Sequence, residues 1–119
     1  MVPVRPGTDS RQAQIEGKTR DYFEALNAGD FGRAQQVCCT AEWRARYPLE
    51  RWRHNFDGVT DLRLVGAPRY LDVRDDRVVV ETDYTFVSGG VRRNFTLPWT
   101  FRLVGGEWQG DIAEAYPTP

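Results

Sequence analysis

Several residue types are almost missing from this chain of 119 residues, and each shortage closes off a class of chemistry. There is one histidine, His54, so no cluster of imidazoles is available to ligate a metal or relay protons. The only cysteines, Cys38 and Cys39, are adjacent. Neighbouring cysteines rarely bridge, so the expectation is two buried small hydrophobes, with no disulfide framework and no metal-ligand spacing. A thiol nucleophile would want a histidine or a helix N-terminus beside it, and His54 falls on a different predicted helix. No stretch approaches the roughly 20 apolar residues of a membrane span, and no apolar signal-peptide core is present. Charge of either sign is not in excess: sixteen basic residues face seventeen acidic ones, for a net charge of −1. Capture of nucleic acid or of an anionic membrane is therefore not expected. Lysine is nearly absent, with Lys18 alone among the sixteen basic residues. That ratio reads as the codon bias of a GC-rich genome, an actinobacterial one being the expectation. A phosphate-binding loop is missing too, because Gly89-Gly90 and Gly105-Gly106 sit between strands rather than between a strand and a helix.

What remains is an apolar, aromatic chain, with 40% hydrophobic and 13% aromatic residues. It is long enough for one real core and short for two. Residues 1–8 and 116–119 read as linker-like, a flexible leader and a tail, around a single domain over residues 9–115. The spacing predicts a first helix from residue 9 or 10 to residue 28, with Ile15, Tyr22, Phe23 and Leu26 on one stripe. Gly29 is suited to the left-handed conformation that ends a helix, and Asp30 to capping the next one. Phe31, Ala34, Val37 and Cys38 continue at helical spacing. Trp43 and Tyr47 then fall in an arginine-rich connection, and Pro48 opens a third short helix with Leu49, Trp52 and Phe56 on one face. From Asp61 the period changes to two. A strand begins at Leu62, with a bulge expected at Gly66-Ala67-Pro68, and resumes over residues 70–73. Val78, Val80, Thr82, Tyr84 and Phe86 share one face of the next strand. Ser88-Gly89-Gly90 is a hairpin loop. Phe95, Leu97, Trp99, Phe101 and Leu103 then point one way, and a last strand carries Trp108 and Ile112. Helices followed by a meander of long antiparallel strands is an α+β order.

The run Tyr22-Phe23-Glu24-Ala25-Leu26-Asn27-Ala28-Gly29-Asp30, followed by this all-strand half, resembles the NTF2-like superfamily: ketosteroid isomerase, SnoaL-type cyclases and nuclear transport factor 2. The resemblance implies a cone, three N-terminal helices packed on a strongly curved antiparallel sheet, with a pocket at its open end. Tyr22 stands where the isomerases keep an oxyanion-hole tyrosine. Carried forward without gaps, their catalytic aspartate falls on Arg46, which cannot act as that base. The late-strand positions that would supply a second acid hold Phe95, Leu97, Trp99 and Phe101. The second half, with a short helix ending in Phe-x-Gly and Gly-Gly-Glu-Trp opening the last strand, looks like small actinobacterial NTF2-like accessory domains without a known reaction.

Two functions stand side by side. In the first, a non-catalytic domain binds a small apolar or aromatic ligand, or a protein partner, through the cone. Tyr22, Trp43, Tyr47, Trp52, Tyr84 and Trp99 would supply contact area, and Arg46 would pair with a ligand carboxylate. In the second, a SnoaL-like or isomerase-like enzyme acts on a polyketide-like molecule, with Tyr22 as hydrogen-bond donor and His54 or Asp57 as base. Neither reading calls for a metal or a cofactor. The segment from Trp43 to Tyr47, with Arg51 to His54, is basic and aromatic. Its ordinary reading is guanidinium groups lying over apolar surface. Glu81, Asp83, Thr85, Asn94, Thr96, Thr100 and Arg102 form a polar outer sheet face, the surface on which a homodimer is expected. As written the chain reads as soluble and cytoplasmic, and as extracytoplasmic if it is a domain excised from an anchored protein.

Overall fold

A computed structural model describes the backbone of residues 6–118 and the side chains of residues 11–118. The first five residues of the expected flexible leader thus lie outside the described residues, and Pro6 already belongs to the first helix. Helix α1 (Pro6–Asn27) buries Ile15, Thr19, Tyr22, Phe23 and Leu26 along the expected stripe. Gly29 takes a φ of 74° and ends it. Its N–H donates to the Leu26 carbonyl at 3.1 Å and the Asp30 N–H to the Ala25 carbonyl at 2.9 Å, the paired bonds of a glycine-terminated helix. Asp30 then caps α2 (Phe31–Cys38), its carboxylate accepting from the Arg33 N–H at 3.1 Å.

The connection after α2 is more ordered than the sequence suggests. Residues 41–46 form a further helix, α3 (Ala41–Arg46), capped by the Thr40 hydroxyl, which accepts from the Trp43 N–H at 3.2 Å. Thr40 is itself held by Asp111 on the last long strand: its N–H donates to Oδ1 at 2.8 Å and its hydroxyl to Oδ2 at 3.1 Å. Cys38 and Cys39, expected as separate thiols, are joined to each other by a disulfide where α2 meets the α3 cap, and both are fully buried. A short helix α4 (Leu49–Trp52) and a 3-10 turn (Arg53–Phe56) follow Pro48.

Four long strands make an antiparallel meander in the order β1-β2-β3-β4: β1 (Val59–Val73), β2 (Arg77–Ser88), β3 (Val91–Val104) and β4 (Glu107–Ile112). Strand β1 is irregular. Its pairing with β2 shifts between Thr60 and Arg63, and again between Val65 and Arg69 across the expected Gly66-Ala67-Pro68 break. At the first shift Asp61 has a φ of 50°, and its carboxylate pairs with Arg63 and Arg92, whose guanidinium groups hold its pKa down. The Asn27 side chain clamps the same place, donating to the Leu62 carbonyl and accepting from the Leu62 N–H at 2.9 Å. The end of α1 is thereby tied to the bend in the edge strand. Tyr116 and Pro117, read from sequence as tail, form β5 (Tyr116–Pro117) against Phe95 and Thr96 of β3.

The sheet curves around α1, and its inner face packs on the helices. The arrangement is the helices-then-curved-sheet cone of the α+β class, with the sheet left open rather than closed into a barrel. Val78, Val80, Thr82, Trp99 and Phe101 are buried in the centre. Leu103 keeps the inward parity but is 45% exposed. On the outer face Arg69 bridges Glu81 and Asp83, and Asp83 also accepts from the Thr96 hydroxyl at 2.7 Å. Arg69, then Thr96, lower the Asp83 pKa.

Candidate functional site

The site follows from how the aromatic side chains are shared between the centre of the sheet and the open end of the cone. Trp99 is fully buried beneath Tyr22, with ring centres 5.1 Å apart and planes at 83°, and stacks on Phe101 at 5.4 Å. Its indole N–H donates to the Thr82 hydroxyl at 2.8 Å. Trp99 is thus sealed and fully hydrogen-bonded, so it serves the core and does not reach a ligand as expected. Above it, Tyr22 forms the floor of a cavity of about 550 Å3. Tyr22, Phe23 and Leu26 of α1, Trp43 of α3, Trp52 of α4, and Tyr84, Phe95 and Leu97 of the sheet line it. The volume lies within the usual range for small-molecule sites, roughly 300–1,000 Å3.

Local hydrogen bonds fix the wall. The Trp43 indole N–H donates to the Ile112 carbonyl at 2.9 Å, and Thr40 and Asp111 anchor the start of α3 from the same strand. Gln35, itself buried, donates to the Tyr47 carbonyl at 2.8 Å and so places the Tyr47 ring 4.8 Å from Trp43. Trp52 meets Trp43 edge-on at 5.9 Å, and Tyr84 lies 5.2 Å from Phe23 and 5.7 Å from Phe86.

Two phenols, with Asn55 and Glu114, give this aromatic space its polar side chains among the described residues. Tyr22 is 2% exposed and its hydroxyl has no hydrogen-bond partner among the described residues, yet the oxygen is not fully buried. Tyr22 is among the residues that line the cavity. Burial, and secondarily the neighbouring Tyr84, push its pKa well above the ordinary phenol value. Tyr84 is likewise without a hydrogen bond among the described residues, and burial pushes its pKa up to about 12. Both are neutral donors at ordinary pH.

The remaining sequence candidates fall outside this space. Arg46 is exposed on α3 and pairs with Glu42 at 3.6 Å, one helical turn back, so the expected carboxylate partner does not line the cavity. His54 and Asp57, the candidate bases, are exposed and pair with each other at 3.0 Å. Their neighbours Asn55 and Phe56 line the cavity and they do not. Tyr22, Trp43, Tyr47, Trp52 and Tyr84 are brought together around the cavity. Of the basic patch, Arg44 donates to the Cys39 carbonyl at 3.2 Å and Arg53 lies over the Phe31 ring at 5.9 Å, while the tryptophans between them face inward. Sequence reasoning missed Glu114, the single carboxylate in the lining among the described residues, which follows the last long strand.

No protein-family model matches the chain, and no curated protein does. Solved structures do. One from Streptomyces avermitilis, a candidate dehydratase of the NTF2-like family, aligns over 94% of this chain and 99% of its own, with a TM-score of 0.70 at 14% identity. The fold is NTF2-like. A designed NTF2 protein aligns over 92% of the NTF2-like chain described here and 99% of its own, at a TM-score of 0.65 and 12% identity. Bd1075 of Bdellovibrio bacteriovorus matches 98% of this chain at a TM-score of 0.69 and 12% identity, and the chain spans 44% of that protein. At these identities the likeness extends to the NTF2-like backbone and not to what the cone holds.

Proposed function

We propose that this NTF2-like domain binds a small, largely apolar or aromatic molecule in its cone without transforming it. The observation that carries the reading is the floor: Tyr22, 2% exposed and with no hydrogen-bond partner for its hydroxyl among the described residues, borders an aromatic cavity of about 550 Å3. A ligand acceptor would give this donor the partner that the protein does not supply. Tyr84 supplies a second donor, and the aromatic walls supply contact area with few rotamers to freeze. Acid/base turnover has less support. It needs titratable groups forced together at the reacting atom, whereas His54 and Asp57 pair with each other at the surface.

Native mass spectrometry tests this directly. Incubated with naphthylethanol, the chain is expected to retain one probe molecule that is lost on unfolding. The Ala115→Trp variant, which places an indole in the cavity lining, is expected to retain none. Equal retention by the filled variant would place the binding site elsewhere.

A further inference from the structure

Resting on that reading, we infer that the molecule the cone prefers is an amine: a cationic nitrogen held at the mouth, with its apolar body inside. The sign of the charge follows from the lining. Among the described residues fifteen border the cavity, and the only charged one of these is Glu114, with no arginine, lysine or histidine among them. In a chain with sixteen basic residues, Glu114 has no ion-pair partner among the described residues. Most other carboxylates on the sheet are taken up. Arg69 holds Glu81 and Asp83, Arg92 holds Asp61, and Lys18 holds Glu107. Arg46, the cation that would favour an anionic ligand, points to solvent and is engaged by Glu42.

Aromatic faces reinforce the choice. Trp43 is bonded to the carbonyl of Ile112, two residues before Glu114, which brings the Trp43–Tyr47 pair beside the segment that ends in the carboxylate. Tyr47 is 44% exposed, so its ring stands at the mouth rather than in the core. A cation there meets the negative faces of indole and phenol rings together with one carboxylate, the combination that recognises alkylammonium groups. An anion would meet a like charge and no compensating donor cation. A primary amine and a quaternary ammonium share this chemistry, and the phenols below accept either body.

The test is isothermal titration calorimetry at low salt with three probes of one shape: naphthylethyl-trimethylammonium, naphthylethanol and naphthylacetate. The cation is expected to bind about 10-fold tighter than the alcohol, the sum of an exposed ion pair and a cation–π contact, and naphthylacetate weakest of all. Glu114→Gln should narrow the gap between cation and alcohol by roughly 3–5-fold. The control Glu42→Gln, an acid outside the lining, should leave it unchanged. If the alcohol or the acetate binds as tightly as the cation, or if Glu114→Gln leaves the preference intact, the amine inference is overturned while the cone reading stands. If no probe binds, the cone reading fails and takes this inference with it.

Discussion

Replacing Tyr22 by phenylalanine removes one oxygen from the floor of the cone, and the structure predicts an unusual outcome for a residue at the centre of the molecule. Side chains that are 2% exposed normally lose stability on any change. The Tyr22 hydroxyl, however, donates to nothing among the described residues. The ring itself is kept, with its edge-on contacts to Trp99 at 5.1 Å and Phe23 at 5.2 Å. A fully buried hydroxyl without a partner costs roughly 1–3 kcal/mol, but the Tyr22 oxygen is not fully buried. Cavity water reclaims part of that, so the net effect of Tyr22→Phe is a gain of about 0–1 kcal/mol. The contrast is Thr82→Val, one layer below. Thr82 is 1% exposed and accepts the Trp99 indole N–H at 2.8 Å, so valine leaves that donor orphaned. This costs about 1–3 kcal/mol. Urea unfolding followed by tryptophan fluorescence compares the two variants with the parent chain. A Tyr22→Phe loss of more than about 1 kcal/mol, the worth of an ordinary hydrogen bond, would show that the hydroxyl is structural and would refute the reasoning.

Three other perturbations are equally specific. Gly110→Ala brings a methyl group to 2.5 Å from the Phe101 ring, which is fully buried and stacked on Trp99, so the ring must move. We expect a loss of about 1–3 kcal/mol, seen as a drop in Tm of roughly 5–15 °C, and an unchanged Tm would contradict the packing described. Alkaline titration should be incomplete: Tyr22 and Tyr84 have raised pKa values, about 12 for Tyr84. With folded values above the unfolded phenol value of about 10, their contribution is fully present below pH ~10 and is lost as pH rises through the folded values. Phenolate absorbance should therefore lag behind five ordinary tyrosines until the fold opens; five groups titrating together near pH 10 would contradict it. Reducing the Cys38–Cys39 disulfide, whose partners are one residue apart, releases almost no loop. The urea midpoint should move by less than about 1 kcal/mol equivalent, and a larger shift would mean that the bridge fixes the α2–α3 junction.

How much could be read in advance depended on how local the cause was. The stop at Gly29 and the cap at Asp30 follow from residues within one turn of each other, and both are present. The alternation of β2 and β3 reports a face directly, so Thr82, Tyr84 and Leu97 point inward as expected. Parity does not report depth along a strand. It could not distinguish Trp99, sealed beneath Tyr22, from Tyr84, which borders the cavity. Helix α3 has a local cap in Thr40, but the residue that braces that cap, Asp111, lies 71 residues away, and the direction of Arg46 follows from α3. Glu114 carried no periodic signal: it lies past β4, in the segment that leads to β5, and only the closed fold brings it to the mouth. Adjacent cysteines seldom bridge, and nothing in the local sequence marks Cys38 and Cys39 as the exception that they are.

The central claim is that the cone is an open binding site and not a core filled by its own side chains. Methyl-detected NMR with neutral naphthylethanol puts that question to individual residues. Ring-current shifts should appear at Leu26, Leu97 and Ile112, which border the cavity, and be absent at Leu71 and Leu103, which are exposed elsewhere. Saturable shifts confined to the first group are the predicted result. No shift at any probe concentration, or shifts centred on Leu71 and Leu103, would contradict the account.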